Sequence, residues 1–67
     1  METFKDRLKE LREEKGISQS QLAKETGLNQ ASISLLEGGR RVPTAPTIIT
    51  LAKYFEVTTD YLLGMTD

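Results

Sequence analysis

Between Gln19 and Leu36 the chain reads QSQLAKETGLNQASISLL, and this run restricts the fold more than any other. Leu22 and Ala23 fall on one side of a first short helix, and Gly27 breaks it. Leu28 returns to the core, and Asn29 stands where it can cap a second helix whose inward residues are Ile33 and Leu36. Ala23 is small where two helices would cross at close range; a larger side chain would hold them apart. Gly27 can take the positive φ of a sharp turn, which a residue with a Cβ resists. Two short helices joined by a tight turn are expected.

The flanking chain continues in the same idiom. Thr3 with Asp6 three residues on makes a capping-box pattern, and Phe4, Leu8 and Leu11 form a single apolar stripe on a helix running to about Lys15. Its other faces carry Glu2, Lys5, Asp6, Lys9, Glu10, Glu13 and Glu14, expected as a solvated surface with opposite charges three apart at Glu2–Lys5 and Asp6–Lys9. Gly16 ends this helix and Ile17 drops into the core. Ser18, with Gln21 in the capping-box position, starts the second helix, which ends near Thr26. The third runs from Gln30 to Glu37 and stops at Gly38-Gly39.

Thr44 caps a fourth helix with Pro46 in its first turn, and Ile48, Leu51, Ala52 and Phe55 face inward. Thr58 caps a fifth, Thr59 to Leu63, from which Tyr61 and Leu62 pack back and which Gly64 closes; Met65 to Asp67 are expected to fray. With no strand signal and no repeat, the fold class is all-α: a compact five-helix bundle, one domain over residues 1–67.

Composition removes several function classes. The 67 residues include no Cys and no His, so disulfides, thiolate metal sites and Cys/His or Ser/His catalysis are excluded. Glu13 and Glu14 are adjacent and so lie on different helix faces; no acid/base or metal constellation forms, and neither enzyme activity, metal nor cofactor is expected. No apolar run approaches ~18 residues and METFKDRLKE lacks a signal-peptide core, so a soluble, cytoplasmic protein is expected. Nine basic against ten acidic residues give a net charge of −1. That balance argues mildly against a nucleic-acid partner, so such a partner would have to rest on where the charges lie.

The paired helices around Gly27 have the pattern of a helix-turn-helix, residues 19–37, whose second helix is presented to the major groove of DNA. Around it, LKELREEKGISQSQLAKETGLNQASISLLEGGRRVP followed by LAKYFEVTTDYLLG resembles the Cro/repressor-type helix-turn-helix domain of phage repressors and many bacterial regulators. The resemblance covers Phe4 to Gly64 and rests on R-x-x-K-G-[apolar]-S-Q, A-x-x-x-G-L, S-[apolar]-x-x-x-E-x-G and L-A-x-x-F-x-V-T taken together. It implies sequence-directed binding of double-stranded DNA by a transcriptional regulator, a bacterial or phage repressor. Carried over by position, it implies that Gln19 holds a phosphate and that Asn29, Gln30, Ala31, Ser32 and Leu35 approach DNA. It also implies that Arg40 and Arg41 touch the backbone, and that Arg12 and Glu37 bridge the first and third helices.

Helix geometry bears on those roles. At about 100° per residue, Gln30, Ala31, Ser34 and Leu35 spread over the side opposite Ile33 and Leu36, and these four are the candidate base contacts. A Gln30 carboxamide can donate to and accept from an adenine edge. Leu35 is expected to stand exposed, against a thymine methyl or a partner chain, with plain burial as the remaining alternative. The candidate phosphate contacts are Gln19, Asn29, Ser32, Arg40 and Arg41, with Asn29 also a cap and Lys24 weaker. Arg12 and Glu37 are read as a structural ion pair. Because the third helix has no Lys or Arg, one copy offers few cations. A homodimer on a palindromic operator is therefore expected, with half-sites ~34 Å apart and Val42, Ile49, Leu62, Leu63 and Met65 as its apolar contact surface. The alternative is a protein-interaction module, such as an antitoxin or anti-repressor partner, in which an exposed Leu35 and the acidic balance serve a protein surface.

Overall fold

Each helix starts where a side chain can occupy otherwise unpartnered backbone amides. A computed structural model describes residues 3–66, and over them five α-helices follow in order: α1 Phe4–Glu14, α2 Gln19–Thr26, α3 Gln30–Glu37, α4 Ala45–Phe55 and α5 Thr59–Leu62. At α1, the Thr3 amide and hydroxyl both donate to Asp6 Oδ2, at 3.1 and 3.0 Å. Ser18 Oγ accepts from the Gln21 amide at 3.0 Å, and Asn29 Oδ1 accepts from the amides of Ala31 at 2.8 Å and Ser32 at 3.4 Å. Thr44 and Thr58 do the same for Thr47 and Tyr61. Each such cap stabilises its helix by about 1 kcal/mol. The Gln21 side chain departs from expectation: it donates to Glu25 one turn ahead instead of reaching back to Ser18.

The helices end by three devices. Gly27 takes φ +77° and its amide bonds Ala23 O at 2.9 Å, turning the chain sharply into α3. At the end of α3, Gly38 keeps right-handed geometry and Gly39 makes the turn at φ +73°, with the Arg40 amide closing back on Leu35 O at 2.9 Å. The end of α4 carries no glycine. There Glu56 itself adopts φ 56°, ψ 43°, and the Val57 amide bonds Ala52 O at 3.0 Å.

The helices close on a core of Leu8, Leu22, Ala23, Ile33, Leu36, Leu51, Ala52 and Leu62, all buried. Phe4, Leu11, Ile17, Leu28, Ile48 and Phe55 pack partly buried around it. α3 rests on α2 and α1, while α5 rests on α4 and α1. The stripe Phe4–Leu8–Leu11 faces this core from α1, which packs on α3 and α5, and Ile48–Leu51–Ala52–Phe55 faces it from α4, which packs on α5 and α2.

Leu62 requires a correction to the expected dimer surface. It is completely buried in this chain's own core and cannot also serve a partner, whereas Leu63 is half-buried. The burial of Leu62 bears out the expectation that it packs back from α5, and that role excludes the other. Met65, expected to fray, has its amide bonded to Asp60 O at 2.9 Å. The Glu2–Lys5 pairing and the end at Asp67 lie outside the described residues. Among the described residues, no helix is long and apolar enough to cross a membrane.

Candidate nucleic-acid interface

The third helix is seated by one side and open on the other. Ile33 and Leu36 are buried, while Gln30, Ala31 and Ser34 are exposed. The three exposed residues fall within an arc of about 100°, and none carries charge. Leu35 lies at the margin of that arc, ~140° round from Gln30, and is half-buried rather than exposed as expected. Asn29 is exposed and uses its carbonyl oxygen to cap α3, which leaves its amide nitrogen pointing its protons elsewhere.

Arg12 and Glu37 form the structural centre of this surface. Arg12 Nε meets Glu37 Oε2 at 2.6 Å and Nη2 meets Oε1 at 2.9 Å, a two-pronged pair with the side chains 13% and 4% exposed. Arg12 Nη1 also donates to Ile17 O at 2.9 Å, tying the α1–α2 turn to the same group. Hydrogen bonding to Glu37 holds the Arg12 guanidinium above its ordinary pKa, overcoming the opposing effect of burial. Gln19 joins the network: its Nε2 donates to Glu37 Oε1 at 3.2 Å, and the residue is half-buried. One of its amide protons is thus committed to the fold.

The loop after α3 folds back on the helix. Arg41 Nη1 donates to Ser32 Oγ at 2.8 Å, which brings two candidate phosphate contacts together on the exposed surface. Arg40 is exposed beside it. Behind this pair a cavity of about 130 Å³ lies between α3 and the start of α4, with Leu28, Leu36, Val42 and Pro43 in its wall.

Some residues carry weight that the sequence reading did not assign. Arg7 is buried, donates to Tyr61 O at 3.0 Å and lies 4.1 Å over the Tyr61 ring, fastening α5 to α1. Its only sequence signal is its place three residues after Phe4 and four before Leu11, at the edge of the apolar stripe. Glu25 accepts from Gln21 and from the Tyr54 hydroxyl, which joins α2 to α4; Lys15 Nζ sits 5.0 Å over the Tyr54 ring. Lys5 and Lys9 are exposed as expected, but both lie on the α3 side of α1.

Residues 6–67 match the helix-turn-helix domain family. The chain is 41% identical over 58 residues to the HTH-type transcriptional repressor RghR of Bacillus subtilis, a match covering 85% of this chain and 43% of the relative. It spans about half the length of several curated relatives. Among solved structures, it superposes on the P22 c2 repressor protein in complex with a synthetic operator. That match has a TM-score of 0.89 and 26% identity, and covers 98% of this chain and 100% of the other. It also superposes on the restriction-modification controller protein C.AhdI of Aeromonas hydrophila, with a TM-score of 0.82 and 35% identity, covering 90% and 91% of the two chains. With the motifs of the sequence, the five helices and this match over nearly all its length in agreement, the chain belongs to the helix-turn-helix domain family, in its Cro/repressor form.

Proposed function

We propose that this chain is the sequence-specific, double-stranded-DNA-binding unit of a bacterial or phage transcriptional regulator, a repressor, and that α3 reads the major groove. One observation supports this most: Ile33 and Leu36 anchor α3 in the core, while Gln30, Ala31 and Ser34 stand exposed on the same helix. A helix held this rigidly by one side can enter a groove without unfolding its seat.

In this reading Gln30, Ala31 and Ser34, with the open part of Leu35, face base edges. Gln19, Asn29, Ser32, Arg40 and Arg41 follow the backbone. Gln19 offers its second amide proton, and Arg41 draws Ser32 to the same phosphate side. The chemistry is recognition alone, with no catalytic step, metal or cofactor, and its place is the cytoplasm, where the DNA is. With so few cations per copy, affinity depends on a homodimer bound to a two-fold operator. The contact surface is drawn from Val42, Ile49, Leu63 and Met65; Val42 and Met65 are 86% and 70% exposed. The half-buried Leu35 offers the protein-interaction alternative less open apolar surface than expected, and that alternative then rests on the acidic balance.

Selection from random duplexes tests the proposal. Enrichment of a two-fold motif is expected, with half-sites ~34 Å apart. Recovery of unselected sequence would overturn it.

A further inference from the structure

We infer that Lys5 and Lys9 of α1 extend the DNA-backbone contact along the flank of α3, an inference that rests on the DNA reading above. The two lysines stand four residues apart and so share a helix face. Both are exposed. The Lys5 stem lies across Gly39: a Cβ built there would come within 3.0 Å of its Cδ and 3.5 Å of its Nζ. Lys5 also borders a shallow groove with Arg41. Lys9 lines a polar cleft with Gln19, Ser34 and Gly38. One lysine therefore stands beside the loop arginine, and the other beside a phosphate candidate and a base candidate.

Gly39 makes the first placement possible. With no side chain at Gly39, the Lys5 stem lies over bare backbone while its ammonium group stays within reach of solvent. Glu37, the carboxylate in that cleft, is already bound by Arg12 and Gln19. Its charge is matched before DNA arrives, leaving Lys5, Lys9, Arg40 and Arg41 around α3. A chain of net charge −1 thereby presents cations on the side where phosphates would lie, and the uncharged reading helix borrows them from its neighbours.

The salt dependence of binding to a duplex recovered by selection reads this directly. Each phosphate neutralised contributes a slope of about −0.9 in log K against log salt. Lys5→Gln and Lys9→Gln should each make the slope shallower by about 0.9 per site bound, and should weaken all duplexes alike. Lys5→Arg and Lys9→Arg should restore it, which a merely structural role would not require. Lys53→Gln on α4 should leave it unchanged. Failure of the unsubstituted protein to bind duplex would remove the DNA reading itself. Steep salt dependence that survives both Lys→Gln changes would leave that reading standing and overturn this inference.

Discussion

Arg12 and Glu37 meet as a two-pronged ion pair, 2.6 Å and 2.9 Å, between the helix that frames the domain and the helix that faces outward. Glu37 is 4% exposed, so removing either partner strands a charge with little water to receive it. Arg12→Ala or Glu37→Ala should each cost about 3 kcal/mol in urea denaturation. Arg12→Met with Glu37→Leu should cost less than either single change. Equal or greater loss in the double variant would show that the pair itself stabilises.

The acid limb of stability should report the two bonded surface carboxylates. The Thr3 amide, then its hydroxyl, holds Asp6 below its ordinary pKa; Gln21, then Tyr54, does so for Glu25. A carboxylate with a lower pKa folded than unfolded adds stability above the unfolded value and loses it as pH falls through the folded one. Unfolding midpoints should thus drop as pH passes below about 4, and Asp6→Asn with Glu25→Gln should flatten that drop.

Tyr54 has the opposite sign. Its bond to Glu25 pushes the phenol up to about 12. Its contribution is full below about pH 10 and fades as pH rises toward the folded value. An absorbance titration should show one late phenol that Tyr54→Phe abolishes.

Glu56 holds a left-handed backbone that costs a side-chain-bearing residue roughly 1–2 kcal/mol, in part offset by the greater freedom glycine has when unfolded. Glu56→Gly should therefore raise stability by about 0.5–1 kcal/mol. A fall in the urea midpoint would mean the Glu56 side chain holds something the geometry does not reveal.

Gln30 and Arg41 should fail in different ways. Gln30→Ala should cost about 1–3 kcal/mol on the preferred duplex and relax the choice of base at one position. Arg41→Gln should weaken every duplex alike. Binding measured against duplexes with each base at that position separates the two outcomes.

Much of this was legible locally. Ser18, Asn29, Thr44 and Thr58 announce their helices because a cap and its amide lie within three residues, and Gly27 announces its turn because a positive φ strains any residue with a Cβ. What escaped depends on contacts far along the chain. Arg7 looks like one more surface charge until Tyr61 arrives over it from 54 residues away. Leu35 sits near a boundary where a small rotation of a short helix decides burial. Lys5 gains its setting from the bare backbone of Gly39, and Lys9 from a cleft it shares with Gln19 and Ser34. Glu56 gives no signal because only tertiary packing, not residue type, places it in the left-handed region.

The most direct test is amide NMR of the chain titrated with a selected duplex. The largest shifts should fall on Gln30, Ala31 and Ser34, with Gln19 and Arg41 flanking them. Shifts concentrated on α4 and α5, with the open side of α3 unmoved by saturating DNA, would contradict the account.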